Sequence, residues 1–423
     1  MKYVIFLGDG MSDLPYEGLN HQTPLDLAYK PHMDRLAAHG QLYSVKNVPD
    51  GMPPGSDTAN MSAMGINPAK YYSGRSPLEA VSMGIDLAED DLSFRVNLVT
   101  LSGESELADC TMIDYSSGEI TSEESGRLIA ALKPALDTEA HELFAGKSYR
   151  HCLVWHGGRP HNALTPPHDI TNRPVRTFLP EGPGKELFRQ LMEKSREILA
   201  DHPVNLKRRE RGLRTADCLW PWGEGTRPKL PNLYERYGVH GTVISAVDLV
   251  QGIGICLGMN VMHVKGATGN LQSDFAGKGK AAIAALLGGS DYVYLHVEAP
   301  DECGHQGDAA GKVKAIELID EHIVGPVVAA LEKHRRETGE PYRVMVMPDH
   351  PTPLATQTHS ADPVPCVLFD SESRQSPTDC IYNEICCQAA TAAAGGRMPK
   401  GYQLFAHFID PNVDPFADDA TDQ

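Results

Sequence analysis

YRVMVMPDHPTP (residues 342–353) decides how this chain reads. It is a strand of Val and Met that runs straight into Asp349 and His350, and a buried strand ending in two ionisable groups has few purely structural uses. The same design recurs at a distance. KYVIFLGDGMSD (2–13) places Asp9 after a strand, YVYLHVEAPDECGH (292–305) places Asp301 and His305 after another, and His359 in THSADPVPCVLF (358–369) stands just before a fourth. In open α/β sheets ligands gather outside the carboxyl ends of the strands, so side chains far apart in sequence can converge on one crevice. Carboxylates with imidazoles suit divalent cations, and this number of them suits two. The expectation is a two-metal phosphoryl-transfer enzyme.

Each element of that constellation has a plainer reading when taken alone. Asp301 and His305 are four residues apart, one face of a helical turn, and many helices carry such a pair on their surface. A single histidine is more often a satisfied structural group than a ligand. Asp349-His350 is more specific, because adjacent side chains diverge and can serve two ions. In DGMPPGSDTANMSAMG (50–65) a glycine precedes Ser56 and a helical pattern follows. That is the pattern of a helix cap or of a nucleophile beside the positive end of a helix. Two cations would neutralise phosphoryl oxygens and lower the pKa of an attacking hydroxyl, which favours Ser56 as nucleophile. There is no G-x-S-x-G elbow, no G-x-x-x-x-G-K-[ST] phosphate loop and no G-x-G-x-x-G after the first strand, so a familiar ATP-dependent kinase is unsupported.

Composition narrows the partners. With 423 residues, two domains are expected. A hydrophobic content of 41% with 22% charged residues is that of a globular protein, the acidic tail DPNVDPFADDATDQ (410–423) being the one stretch that reads as disordered. A formal net charge of −18 argues against nucleic acid or an anionic membrane, both of which need a basic footprint. Nine cysteines without a CxxC pair read as reduced thiols. The run YVIFL is too short for a signal peptide and no segment approaches a membrane span, so a cytoplasmic location is expected.

Along the chain an α/β rhythm opens, breaks and resumes. From about 230, GTVISAVDLVQGIGICLG, AGKGKAAIAALLGG, YVYLHV, VKAIELIDEHIVGPVVAALEKH, YRVMVM and PVPCVLF alternate helix and strand, as in a mostly parallel sheet sandwiched by helices. Between about 100 and 228 the texture turns polar, basic and aromatic: HGGRPHNALTPPHDITNRPVR, then KELFRQLMEKSREILADH with Leu187, Leu191, Met192 and Ile198 on one helical face, then KRRERGLR and LWPWGEGTRPKLP. Residues 1–97 and 230–423 are therefore expected to form one discontinuous metal-binding domain, with a smaller α+β domain, 98–229, inserted in it.

Asp9 in GDGMSD, Ser56 in PGSDTANMSAMG, Asp301 and His305 in DECGH, Asp349 and His350 in PDH and His359 in HSADPVP together resemble the alkaline-phosphatase superfamily. More narrowly they resemble its cofactor-independent phosphoglycerate mutases of the archaeal type. NPAKYYSGRSPLEA and FRVNLVT extend the likeness over nearly the whole chain. The resemblance implies one ion held by Asp301, His305 and His359 and another by Asp9, Ser56, Asp349 and His350. The ions would be Mn first, with Mg, Co or Zn as alternatives, and no 2,3-bisphosphoglycerate would be needed. It also implies that Ser56 carries the phosphoryl group transiently while glycerate reorients. Lys265 in HVKGATG would bridge the metal site and that group. Arg150 and His151 in SYRHC, His168 and Asp169 in PPHD, and Arg75 would handle a small anionic phosphorylated substrate.

Two stretches depart from the archaeal pattern. YSSGEI puts Glu119 where a basic residue is expected, and LWPWGEG puts Glu224 in a turn that often carries arginine. Lost positive charge can mean a different acceptor. Bacterial relatives with such features have been proposed as homoserine kinases, whose substrate carries an ammonium group that acids could meet. The readings are thus the mutase, then a homoserine phosphotransferase, then a phosphomonoesterase. A non-catalytic metal-binding protein comes last, because it would have no chemical use for Ser56.

Overall fold

A computed structural model describes residues 1–373 and 376–417. Among these residues there are twelve strands: β1 (Lys2–Gly8), β2 (Gln41–Val45), β3 (Leu92–Leu101), β4 (Met112–Asp114), β5 (His141–Phe144), β6 (Arg150–Trp155), β7 (Cys218–Thr226), β8 (Gly241–Ile244), β9 (Asn260–Val261), β10 (Tyr292–Val297), β11 (Tyr342–Met347) and β12 (Val364–Asp370). The chain divides into two compact units, Met1–Tyr72 with Lys229–Gln423, and Ser73–Pro228.

The first unit is a seven-stranded sheet in the order β2-β12-β11-β1-β10-β8-β9. β11, β1, β10, β8 and β9 are parallel, while β12 runs antiparallel to both β11 and β2. Strands covered on both faces need apolar residues at successive positions, and β1, β10 and β11 are buried throughout. One face of the sheet, with Val4, Phe6, Val293, Leu295, Val344 and Val346, packs on Ile316, Ile319, Ile323, Val327 and Leu331 of covering helices. On the other face Tyr3 and Tyr292 meet Phe408 and Phe405 of the helix Gly401–Ile409 edge-to-face. The run expected as one helix over 313–334 is divided by a π-helical segment, Asp320–Val324, between the helices Ala309–Ile319 and Gly325–Thr338. Pro326 explains the break, because it has no N–H to donate to the carbonyl of His322.

The second unit is an antiparallel sheet in the order β4-β3-β6-β5, with β7 also paired to β3. Its boundary at Ser73 lies earlier than residue 97, and the reason is β3. This strand is the centre of the second sheet, with Leu92 opposite both Trp155 and Thr226, so the segment leading into it belongs there too. Alternate residues Leu92, Phe94, Val96 and Leu98 face the helices Ser122–Leu136 and Lys185–Ala200. The buried stripe of the latter helix is Phe188, Leu191, Met192, Ser195 and Leu199; Leu187 and Ile198 sit at its margin.

The acidic tail that reads as disordered is described only as far as Ala417, whose carbonyl accepts from Gln403 Nε2 at 2.6 Å; residues 418–423 lie outside the described residues. Among the described residues no helix is long and apolar enough to cross a membrane. None of the nine cysteines is bridged.

Candidate active site

Three neighbouring parallel strands, β11, β1 and β10, end on one edge of the first unit's sheet, and each hands its chain to an acid. Asp9 follows β1 directly, Asp349 and His350 follow β11, and Asp301 lies in the first turn of the helix Ala299–Gln306 after β10. Strand adjacency thus brings together residues that the sequence separates by hundreds of positions. Asp9, Asp349 and His350 offer ligand atoms within 4.8 Å of one another, and so do Asp301, His350 and His359. His305 joins the second group: its Nε2 is 3.3 Å from Asp301 Oδ2 and 3.0 Å from His359 Nε2. Two imidazole nitrogens aimed at one point are what a shared cation would separate.

Ser56 opens the helix Ser56–Ala63, and its Oγ lies 3.2 Å from His350 Nε2. The helix cap itself is Gly55, which makes no side-chain cap bond, so the Ser56 hydroxyl is not consumed in capping. Gly10 allows the close approach of the loops. Its φ is +60°, and a Cβ there would lie 2.6 Å from both Asp301 Oδ1 and Thr352 Oγ1.

The electrostatics of the cluster are those of excess negative charge. Burial pushes the Asp9 carboxyl well above the usual range, and the charges of Asp349 and Asp301 add to the effect. Its Oδ1 is buried with no hydrogen-bond partner. Asp349 is better served: Oδ1 accepts from Gly10 N at 3.1 Å and His350 N at 2.8 Å, and Oδ2 accepts from Asn60 Nδ2 at 2.9 Å. Burial also works against the charge on Asp301, but hydrogen bonds from His305 and His359 outweigh it and hold this carboxyl well below its usual value. The hydrogen bond to Asp301 in turn raises His305 to about 9. An orphaned carboxylate oxygen among acids and imidazoles is a donor set that fits divalent cations.

Several supporting residues escaped the sequence reading. Asn60, one helical turn beyond Ser56, donates to Ser56 O at 2.8 Å as well as to Asp349, and is itself held by Tyr294 OH at 2.7 Å. Lys312 is fully buried and donates to Ser12 O at 3.1 Å, Asp13 Oδ2 at 2.7 Å and Thr352 O at 2.8 Å, joining the loop after β1 to the loop after β11. Lys265 is exposed in the loop after β9, and none of the cluster's contacts reaches it.

The second unit holds its own group of charged and aromatic side chains. Arg75 Nε and Arg95 Nε lie 2.9 and 2.8 Å from the two oxygens of Glu79, the latter off hydrogen-bond alignment. The Arg95 guanidinium sits 4.2 Å above the Trp222 ring, and Trp222 Nε1 donates to Asn97 Oδ1 at 2.9 Å. Arg150 stacks on Tyr149 at 5.2 Å, and His168 packs edge-on against Trp222 and Tyr115. Burial lowers Arg95 to about 10, and the charges of Glu79, Arg75 and Arg150 all act on it. His151 is separated from this group. Next to Arg150 on β6 it faces the other way and is buried, with Nδ1 accepting from Gly146 N at 3.0 Å and burial pulling it down to about 3. Asp169 is exposed, 3.7 Å from His168. Glu224 is committed to a turn, accepting from His161 N at 2.8 Å and Asn162 N at 3.1 Å, and Glu119 is exposed at φ 50°.

A family model described as 2,3-bisphosphoglycerate-independent phosphoglycerate mutase matches residues 37–205. A Methanothrix thermoacetophila protein of that name is 47% identical over 97% of this chain and 100% of its own length. A Geobacter sulfurreducens protein, named a probable 2,3-bisphosphoglycerate-independent phosphoglycerate mutase, is 43% identical over the same shares. Among solved structures, a Pyrococcus horikoshii protein superposes with a TM-score of 0.77 at 28% identity, covering 98% of both chains. The cofactor-independent phosphoglycerate mutase of Thermoplasma acidophilum shares the fold, with a TM-score of 0.63 at 24% identity over 97% of this chain and 100% of its own.

Proposed function

The chain belongs to the 2,3-bisphosphoglycerate-independent phosphoglycerate mutases, and from that premise we propose that it interconverts 3-phosphoglycerate and 2-phosphoglycerate through a phosphoserine at Ser56. The observation that carries the reading is the buried, unpartnered Oδ1 of Asp9 within a group of three carboxylates and three imidazoles, with the Ser56 hydroxyl at its edge. Asp301, His305 and His359 would hold one divalent cation, and Asp9, Asp349 and His350 with Ser56 the other. Mn is the first choice, with Mg, Co or Zn behind it. Such cations supply charge neutralisation for the phosphoryl oxygens and a lower pKa for the serine hydroxyl.

Ser56 Oγ gives up its proton and attacks phosphorus, the bond from phosphorus to the substrate's 3-oxygen breaks, and that oxygen takes up a proton in exchange. The reoriented glycerate then attacks the phosphoserine with its 2-oxygen, which gives up a proton as the Ser56 ester bond breaks. Asn60 keeps Ser56 and Asp349 in register by bonding both. Lys265 remains the proposed bridge to the travelling group, since its ammonium is exposed on a loop at the carboxyl edge of the sheet. In the second unit, Arg75, Arg95, Arg150 and His168 are proposed to hold the substrate's anionic groups. Arg75 and Arg95 lying against Glu79, with the charge of Arg150 also reaching it, support that role. His151 is left out because it is buried away from them. Unbridged thiols and the absence of a spanning helix among the described residues are in keeping with the cytoplasm as the place of action.

The test is Ser56→Ala with Mn present. Isomerisation should be lost while Mn binding persists, and brief incubation of the parent with substrate should label Ser56 in a phosphopeptide map. Full turnover by the variant, or label on another residue, refutes the scheme.

A further inference from the structure

β10 reads Tyr-Val-Tyr-Leu-His-Val. Its alternation sends Val293, Leu295 and Val297 into the apolar core, while Tyr292, Tyr294 and His296 face the other way, all fully buried. A histidine buried on a central strand must have both ring nitrogens satisfied or lose stability, and His296 has two partners. Its Nε2 is 2.9 Å from Asp9 Oδ2, and its Nδ1 is 3.1 Å from Ser245 Oγ. Ser245 Oγ also accepts the N–H of Val247 at 3.0 Å. With Asp9 ionised, as a cation ligand must be, its oxygens can only accept, so Nε2 carries the N–H that donates to Oδ2 and Nδ1 accepts the hydroxyl proton of Ser245. The relay from Val247 through Ser245 and His296 to Asp9 therefore has one consistent direction. Lys278, also fully buried, donates to the His296 carbonyl at 3.0 Å and fixes the strand at that residue.

The consequence falls on Asp9. One of its oxygens is occupied by His296, and the other is the buried Oδ1 without a partner, 3.7 Å from His350 Nε2. Asp349 differs, since donors occupy both of its oxygens. We infer that His296 is a positioning residue that holds the Asp9 carboxylate by Oδ2, so that Oδ1 alone is presented to a cation and Asp9 acts as a one-oxygen ligand. A carboxylate without this hold can turn about its bond to Cβ, chelate with both oxygens or swing toward His350. The hold removes those alternatives before the cation arrives. This rests on the metal reading of the cluster given above.

Mn binding, followed by calorimetry and by the electron paramagnetic resonance of free Mn, tests the inference on the whole chain, with thermal melts run in parallel. The parent should show two classes of site. His296→Ala should weaken one class about 10- to 100-fold and leave the other near its parent value. His296→Gln, whose amide nitrogen can still donate to Oδ2, should recover most of that loss, and Ser245→Ala should fall between the parent and His296→Ala. Unchanged affinity in a folded His296→Ala, equal weakening of both classes, or a glutamine variant no better than alanine overturns the inference. If His296→Ala does not fold, Ser245→Ala decides, and parent affinity in that variant overturns it. A parent that binds no Mn would instead overturn the metal reading itself.

Discussion

Replacing Arg95 by Met should cost catalysis and stability by separable amounts. The guanidinium is nearly buried, with 9% of its side chain exposed, and lies against Glu79 and the face of Trp222. Glu79 is half-buried, with 17% of its side chain exposed. Desolvation pushes its carboxyl up, but Arg95 first and Arg75 second pull it down further, so both partners are charged at neutral pH. The Arg95 Nε is off hydrogen-bond alignment with Glu79, which leaves the guanidinium with donors for an anionic ligand. A hydrogen bond to a charged group contributes about 1.5–3 kcal/mol. Arg95→Met should therefore lower kcat/KM roughly 10- to 150-fold. Breaking a buried pair costs about 3–5 kcal/mol, and because Arg75 stays on Glu79 the low end applies. Adding Glu79→Gln removes the stranded carboxylate, so the double variant should regain stability without regaining kcat/KM. An enolase-coupled assay at saturating Mn reads the first quantity and urea titration the second. A folded Arg95→Met within twofold of parent kcat/KM would refute a substrate role, and a double variant that recovers both quantities would reduce Arg95 to scaffolding.

Chelation should abolish isomerisation and Mn should restore it; at 100-fold over its Kd each bound ion should add about 2.7 kcal/mol to stability, read from melts with and without metal. Lys312→Met strands buried Asp13 and should cost about 3–5 kcal/mol by urea titration, whereas pairing it with Asp13→Asn should relieve much of that. The His151 imidazole is held down to about 3 by burial, against an ordinary value of 6.5. The folded state thus binds fewer protons than the unfolded one between those values, so this contribution is whole above pH 6.5 and is lost as pH falls toward 3, at about 1.4 kcal/mol per pH unit. His151→Asn should accordingly flatten the acid limb of stability by about 2 kcal/mol between pH 7 and pH 5, measured by urea titration at both.

The convergence of acids and histidines was legible because each acid closely follows a run of residues that can only be a buried strand, and parallel strands deliver their carboxyl ends to one edge. What supports the cluster was not. His296 lies inside the strand that announces Asp301, and the one signal was a polar residue at a position the pleat would fill with an apolar one. Asn60 is one helical turn from Ser56, a spacing that puts both on one face but does not say what they meet. Arg95 was hidden in FRVNLVT, where the alternation Phe94, Val96, Leu98 against Arg95, Asn97 marks a strand with one apolar and one polar face. The same rule of two separates His151 from Arg150 and could have been applied to SYRHC from the sequence alone. The domain boundary was missed for a related reason: β3 reads like the preceding α/β strands, and only its pairing with β6 and β7 assigns it to the second unit.

The choice between a polyanionic and a zwitterionic substrate turns on which carboxylates of the second unit are free. Glu224 lies in the LWPWGEG turn, and its oxygens already accept the N–H groups of His161 and Asn162 and the side-chain amide of Asn162. A carboxylate saturated by a turn has little left for a ligand's ammonium group, and releasing it would uncap that turn. Glu119 is exposed on a left-handed turn, and its charge reaches Tyr149, the ring on which Arg150 stacks. The carboxylate that does enter the group is Glu79, and Arg75 and Arg95 both lie against it. With Arg150 added, positive charge exceeds negative within the group, and the surplus stands beside aromatic faces that raise its strength by excluding water. That balance favours a phosphorylated carboxylic acid over an amino acid, because the latter would bring its ammonium group toward guanidiniums whose adjoining carboxylate, Glu79, is already engaged by Arg75 and Arg95.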